Sequence, residues 1–238
     1  MFSALTPYAG ITPFNDWFVP DTVQRHPLGT IVPAVDPFWG HGEFIYFKSN
    51  DAILKGSSCM WDETYQAALL PSAVTQGFPF AIAMAPMASG TYGWLQRRGR
   101  AVIKTNATVA ADGVLAIAAP GILGATATGK QVLNIRNRIS ATGTKTFTVQ
   151  TYNGYGYLDA FQGYDGAFIG MALSGTGIPA STVVAALDPN GKRIYTGSAI
   201  GTQGDKNSTA TGSITLTGTY TGYGSAMIDC PSCMQIVT

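Results

Sequence analysis

The sequence predicts an all-β protein with a jelly-roll or related β-sandwich core. Short apolar runs are separated by frequent turn signals, and 29 glycines supply many of them. In residues 144–151, Phe147 and Val149 alternate with Thr146 and Thr148, which indicates a strand with one buried face and one hydroxyl-bearing face. The alternation of Ile214 and Leu216 with polar neighbours in residues 213–220 indicates the same. No long window shows helical periodicity.

The core strands follow one another with few interruptions. Pro79 and Pro86 flank one of them, which favours a short strand or an edge strand there. Residues 64–70 indicate one or two helical turns, and the glycine-rich stretch 121–129 is interpreted as turns. The strands predicted outside the middle of the insertion described next are residues 28–35, 43–48, 57–61, 79–85, 92–96, 100–104, 114–118, 131–139, 144–152, 213–220 and 226–237.

A change in composition predicts an inserted small β unit at residues 154–224, where Gly and Tyr dominate both margins. Within it, we expect strands at 168–173, 182–187 and 192–196. Asn190-Gly191 is a strong hairpin signal, because these residues tolerate the positive φ of a two-residue turn. The core then comprises residues 28–153 and 225–238. Insertions of this kind are tolerated where chain ends meet at a surface.

The proline and aromatic content of residues 1–27 predicts an extended N-terminal arm. Six of the 13 prolines lie within the first 39 residues, and each restricts the chain to extended geometry. Disordered segments are usually poor in aromatic residues, so these rings need a covering surface in the same subunit or in a neighbour. The candidate interface residues are Phe14, Trp17, Phe18, Phe38 and Trp39.

Charge is sparse and nearly balanced. Charged residues form 11% of the chain, against about 25% in typical domains, and the net charge is +1. This pattern provides no electrostatic footprint for nucleic acid or for an anionic membrane. A weakly charged surface favours self-assembly over a soluble monomer. Three cysteines fit a protein made in reducing cytoplasm.

The residues predict no enzyme, metal site or cofactor. His26 and His41 lack a metal-ligating neighbour at a suitable spacing, and single histidines beside Pro or Gly are usually loop residues. The adjacent acids Asp62 and Glu63 could suggest acid–base chemistry, but such pairs at strand ends are more often solvated turn residues.

Two further patterns have competing interpretations. Cys230 and Cys233 have CxxC spacing, but Cys59 is the only other thiol and no thioredoxin-like helix follows; a reduced pair in a tight turn is favoured. The arginines Arg97, Arg98 and Arg100 form the only concentrated positive charge. They indicate solvated strand ends, a small nucleic-acid patch, or a surface that docks onto acidic protein groups through bidentate pairs.

Several strand patterns resemble those of tailed-bacteriophage head decoration (capsid cement) proteins. The resemblance covers about half of the chain, and it leaves the arm and the C-terminal cysteines unmatched. The segments that carry it are residues 28–47 (LGTIVPAVDPFWGHGEFIYF), 80–85 (FAIAMA), 92–96 (YGWLQ), 101–107 (AVIKTNA) and 129–134 (GKQVLN), with a separate phage structural pattern at 168–179 (FIGMALSGTGIP).

The resemblance implies a structural virion protein that binds the outside of a capsid and stabilises contacts between capsid subunits. The implied partners are the major capsid protein and further copies of this chain, with a trimer favoured over a dimer. Assembly would take place in the bacterial host cytoplasm. No nucleic acid, membrane or cofactor is implied.

A second hypothesis is a host-surface or carbohydrate-binding adhesin module displayed on the virion. Here the segments 152–157 and 220–223 would form a stacking platform, with Tyr155 and Tyr223 as its key rings. A cell-wall hydrolase is disfavoured, because no paired-acid constellation is visible.

Overall fold

The structure is a computed structural model that describes residues 3–4, 19–36, 40–72, 79–106, 109–125, 130–160, 167–188, 192–200 and 202–233. These residues contain strands, turns and bends but no helix, so the predicted all-β class is confirmed. The specific jelly-roll arrangement stays a prediction. Within the described ranges no helix has the length and apolar character needed to span a membrane.

The strands are numbered along the chain. The first ten are β1 (Ser3–Ala4), β2 (Ile31–Asp36), β3 (Gly40–Ser49), β4 (Ser58–Trp61), β5 (Gln66–Leu69), β6 (Ala81–Ala83), β7 (Tyr92–Lys104), β8 (Leu115–Ala119), β9 (Ile122–Ala125) and β10 (Val132–Asn137). The others are β11 (Thr142–Thr151), β12 (Tyr157–Asp159), β13 (Ala172–Ser174), β14 (Thr182–Leu187), β15 (Arg193–Gly197), β16 (Gly212–Thr221) and β17 (Tyr223–Cys233).

The chain divides into two compact units. One, called the main unit here, comprises Phe2–Thr142 and Thr221–Thr238; the other, the inserted unit, is Gly143–Tyr220. The sequence placed the boundaries of the insertion at 154 and 224. The structure starts it earlier because β11, assigned to the core from its alternation, is a wall of the closed barrel that the inserted unit forms.

Five strands of the main unit form a closed circuit of pairings. β3 pairs with β5 in parallel, and antiparallel pairs then link β5 to β4, β4 to β6, β6 to β7 and β7 back to β3. Side chains from all five strands fill one core, including Phe47, Cys59, Ala67, Ala83 and Leu95. We call this circuit the ring. It leaves β6 without a free edge. Of the two alternatives predicted from the flanking prolines, the short strand is confirmed, because β6 has three residues, and the edge position is wrong.

The sheet continues beyond the ring on two sides. β17 pairs with β7 and β10 pairs with β17, whereas β2 pairs with β3 and β1 with β2. The hairpin β8–β9 packs against β7, β17 and β10, burying residues such as Ile103, Leu123 and Ile228 in a common core. Burial of this apolar area is the main stabilising term for such an arrangement.

Two local predictions are wrong, because the segments concerned pair with neighbouring strands. Residues 66–69 form β5 rather than a helical turn, because β3 and β4 flank them and complete their backbone hydrogen bonds. Residues 122–125 form β9, although glycine and threonine around them indicated turns. The segments 92–96 and 100–104 join into the single strand β7.

Part of the predicted arm packs on its own chain. Asp21 and Tyr92 exchange two backbone hydrogen bonds of 2.8 Å, and the His26 ring lies 5.1 Å from that of Tyr46 and 5.5 Å from that of Trp94. The Tyr46 hydroxyl donates to Asp21 Oδ2 at 3.0 Å. Residues 19–27 therefore pack on β3 and β7 of their own chain and do not need another subunit to cover them.

The structure does not test the interface aromatics that the sequence predicts. Phe14, Trp17, Phe18, Phe38 and Trp39 lie outside the described residues. Their burial against another chain stays a prediction.

The inserted unit is a closed barrel with the strand order β11-β12-β15-β14-β13-β16. Its interior holds Phe147, Val149, Leu158, Val184 and Leu216, all buried. Thr146 and Thr148 are exposed, so the predicted alternation of β11 is confirmed. β14 and β15 pair antiparallel as the hairpin signal predicts, although the turn residues 189–191 lie outside the described ranges.

Replacing Tyr46 with Phe tests whether residues 19–27 belong to the fold. The change removes the hydroxyl that donates to Asp21 and accepts from the Arg25 backbone N–H at 3.3 Å. We expect Tyr46→Phe to lower the free energy of unfolding by about 1–2 kcal/mol, because two partly buried hydrogen bonds are lost. Urea unfolding followed by tryptophan fluorescence measures it, since Trp94 lies 5.0 Å from Tyr46 between ring centroids. Tyr155→Phe, at an exposed ring, is the control; equal effects of the two changes would contradict the assignment.

Candidate functional site

Five of the chain's seven arginines lie on the part of the main unit formed by β7, β17 and β10. We call the surface they form the basic face, and its members are Arg97, Arg98, Arg100, Arg136 and Arg138. Within the described residues, Glu43, Asp112 and Asp229 contact four of these arginines. The whole chain carries a net charge of only +1, so five arginines gathered on one sheet are a distinct local feature.

A bulge in β7 brings Arg97 and Arg98 to the same place. On β3, Glu43 pairs with Arg98 and the next residue, Phe44, pairs with Gln96, so Arg97 is an extra residue in the ladder. Such bulges redirect neighbouring side chains. The guanidinium groups of Arg97 and Arg98 then lie 3.2 and 3.8 Å from the same sulfur atom, Cys230 Sγ.

Buried groups hold the bulge in position. The Gln96 side chain is 1% exposed, and its amide donates to the carbonyl oxygens of Arg98 and Arg100 at 3.0 Å each. Gly99 has φ +96°, a conformation that residues with a Cβ rarely adopt. A Cβ at this position would also overlap the carbonyl oxygen of His41.

The ion pairs of Arg98 and Arg138 are exposed enough to exchange partners, whereas Arg97 Nε lies 2.8 Å from Glu43 Oε1 in a pair whose side chains are 28% and 24% exposed. Arg98 Nε lies 2.7 Å from Asp229 Oδ1, and both side chains are more than half exposed. Arg138 Nη1 lies 2.9 Å from Asp112 Oδ1, which Arg136 approaches only at 3.9 Å. Exposed pairs of this kind add little net free energy to the fold. Their arginines can therefore bind external carboxylates at small cost.

Apolar side chains lie between the arginines. Met227 on β17 pairs directly with Arg100 on one side and with Arg136 on the other. Its side chain is 49% exposed, and Leu133 on β10 is 38% exposed. Protein interfaces often combine exposed apolar contacts with arginine, so this composition suits a protein partner.

The structure brings together the three arginines that the sequence singled out and adds two that it missed. Arg97, Arg98 and Arg100 were recognised as a cluster from their adjacency. Arg136 and Arg138 join them because β17 pairs with both β7 and β10. Their spacing of two residues places them on one strand face, but no sequence signal pairs β10 with β17.

The other candidate residues occupy structural positions. Asp62 accepts hydrogen bonds from the backbone N–H groups of Gln66 and Thr64 and from the Thr64 hydroxyl. These bonds hold the pKa of the Asp62 carboxyl below its ordinary value, which suits a turn and not a general acid. His26 is buried against aromatic rings, whereas His41 is exposed. Among the described residues, no group of three His, Cys, Asp or Glu could hold a metal ion.

The CxxC segment lies in a strand, which corrects the prediction of a tight turn. Cys230 belongs to β17, where its φ of +48° marks an irregularity opposite Asn134 of β10. Cys233 pairs with Val132 through the backbone. The long pairing with β10 keeps this segment extended.

The predicted tyrosine platform is divided between the two units. Tyr152, Tyr155 and Tyr157 are neighbours in the inserted unit, with ring centroids 5.4–6.5 Å apart. Tyr220 instead packs edge-on against Phe168, at 5.2 Å between centroids. Tyr223 belongs to β17 of the main unit.

Comparisons of this chain with protein-family models, with curated proteins and with solved structures found no match. The argument for a function therefore rests on the chain's own surfaces.

Replacing Gly99 with Ala tests the bulge. We expect Gly99→Ala to lower the free energy of unfolding by about 3 kcal/mol or more, because φ strain adds to overlap with His41. Gly90→Ala is the matched control: Gly90 also has positive φ, +83°, but a Cβ there meets no atom within 4 Å. It should cost about 1–2 kcal/mol. Chemical denaturation measures both, and an equal loss of stability would show that the bulge is not sterically constrained.

Proposed function

We propose that this protein is a capsid decoration (cement) protein of a tailed bacteriophage. It binds the outer surface of the capsid and stabilises contacts between capsid subunits, and its role is structural. The basic face carries the proposal, because it joins five arginines and exposed apolar side chains on one sheet. The strand patterns resembling those of decoration proteins supply the capsid as the specific partner.

The basic face would dock onto acidic groups of the major capsid protein. Arginine forms bidentate pairs with carboxylates, and such pairs fix orientation as well as adding free energy. Asp229 and Asp112 pair with arginines before docking, and capsid carboxylates would join or replace them. Met227 and Leu133 would provide the apolar part of the contact.

Further attachment comes from the N-terminal aromatics and from self-association. Phe14, Trp17, Phe18, Phe38 and Trp39 are proposed to contact a neighbouring subunit, and copies of the chain are proposed to form a trimer in preference to a dimer. Several weak contacts on a shell become strong together, because the first contact raises the effective concentration for the next. Assembly on the capsid would follow synthesis in the bacterial host cytoplasm.

Binding to purified phage heads that lack this protein tests the proposal. We expect the full chain to bind them and the double variant Arg98→Glu/Arg136→Glu to bind at least about tenfold more weakly, because both changes place like charges against acidic groups. Raising the salt concentration from about 0.05 to about 0.5 M should weaken the wild type most, since it screens these pairs. Sedimentation of heads with bound protein gives the affinity.

The matched control is Lys145→Glu/Lys192→Glu, which changes the net charge equally at two exposed lysines of the inserted unit. It should bind within about twofold of the wild type. Equal weakening by the two double variants would remove the basic face from the proposal. Failure of the wild type to bind heads, with unchanged shell stability, would refute the cement function itself.

A deletion tests the aromatic contribution separately. Removing residues 1–18 takes away Phe14, Trp17 and Phe18 together with the two-residue strand β1, which pairs only with β2 among the described strands. It retains residues 19–27, which pack on the chain's own β3 and β7. We expect the shortened chain to fold and to bind heads at least about tenfold more weakly, as loss of buried aromatic anchors does at other interfaces. Undiminished binding would contradict a role of these rings in attachment.

A further inference from the structure

The inserted unit carries an exposed aromatic cluster that capsid docking does not use. Tyr152, Tyr155 and Tyr157 form this tyrosine patch. The ring of Tyr155 lies 5.4 Å from that of Tyr157, inclined by 59°, and 6.5 Å from that of Tyr152, inclined by 80°. Tyr155 is 55% exposed, the most exposed aromatic side chain among the described residues. Tyr155 therefore presents its ring to solvent, and the partly buried Tyr152 and Tyr157 lie beside it.

Backbone hydrogen bonds fix the turn that carries Tyr155. Its N–H donates to the carbonyl oxygen of Tyr152 at 3.1 Å, and its own carbonyl oxygen accepts from the Ser208 N–H at 2.9 Å. The adjacent Gly154 N–H donates to the Ser208 carbonyl oxygen at 2.8 Å. An exposed ring on a fixed backbone loses little conformational entropy when it binds a ligand.

Polar groups beside the rings are also held in position. Asp159 accepts hydrogen bonds from Arg193 Nε at 2.7 Å and from the Tyr152 hydroxyl at 3.1 Å. The Arg193 guanidinium lies over the Tyr157 ring, 4.0 Å from its centroid. The strand pairing explains this contact, because β12 and β15 place Asp159 directly opposite Arg193. The remaining donors of Arg193 and the lone pairs of Asp159 border the ring faces.

The charge of the patch selects among ligands. Asp159 and Arg193 neutralise each other, so the charged pair that contacts these tyrosines is balanced and differs from the clustered cations that bind the phosphates of a nucleic acid. An apolar peptide helix would need a hydrophobic groove, whereas this surface alternates ring faces with hydrogen-bonding groups. A neutral sugar ring has the complementary pattern, since its C–H face is apolar and its hydroxyls lie at its edge.

We propose that the tyrosine patch binds a neutral carbohydrate chain, with Tyr155 stacking on a sugar ring and Asp159 and Arg193 bonding its hydroxyls. The site gives the protein a second attachment, to a polysaccharide surface, through the unit that capsid docking leaves free. It does not depend on the proposed capsid function.

A glycan array of neutral and acidic oligosaccharides, probed with the full chain, tests the site; calorimetry with the best-bound oligosaccharide then gives affinities. We expect neutral glycans to bind and Tyr155→Ala to weaken binding at least about tenfold. Tyr155→Phe should stay within about threefold, because it keeps the stacking ring. Val114→Ala, at a 60% exposed apolar residue of the main unit, is the control for nonspecific adhesion and should bind as the wild type.

Three results would overturn the inference. The first is that the protein binds no neutral glycan, and the second is that the wild type and Tyr155→Ala bind equally. The third is that the protein binds an oligo-dT probe but no glycan, and that Tyr155→Ala abolishes this binding. Tyr155 is exposed, so its replacement should leave the thermal unfolding temperature unchanged, and loss of binding reports on the site itself.

Discussion

The architecture of the main unit depends on the bulge in β7 between Gln96 and Gly99. The N-terminal part of this strand closes the ring by pairing with β3 and β6, and the C-terminal part pairs with β17. One thirteen-residue strand therefore belongs to two cores. The buried Gln96 amide satisfies two carbonyl oxygens at the transition, where unpaired backbone groups would otherwise be costly.

The same bulge determines the chemistry of the surface. A regular strand would alternate Arg97 and Arg98 between opposite faces. The extra residue and the positive φ of Gly99 instead bring their guanidinium groups to within 4 Å of one sulfur atom. β17 and β10 then add Arg136 and Arg138, so a structural irregularity becomes the centre of a charged surface. Arginines at defined strand positions, partly paired with carboxylates, suit specific docking better than diffuse attraction.

The inserted unit shows a different way of building a surface. A closed barrel has no free strand edges, and its inward-facing residues supply its core. Outward-facing positions are then free to vary, and here they hold the tyrosine patch with the Asp159–Arg193 pair. Proposed capsid docking and proposed carbohydrate binding thus use separate units, and substitutions in one need not disturb the other.

The sequence by itself determined the all-β class, the alternation of β11 and the existence of an insertion. These depend on local patterns, namely period-two hydrophobicity and turn residues, which are read without knowing any strand partner. The adjacency of Arg97, Arg98 and Arg100 is local in the same sense. Only the tertiary structure decided that 66–69 is a strand, that β6 lies inside the ring, and that Arg136 and Arg138 complete the basic face. Each of these outcomes depends on pairing between strands distant in sequence. The hydrogen bonds and burial that stabilise such pairing involve both strands, so the residues of one segment alone do not identify its partner.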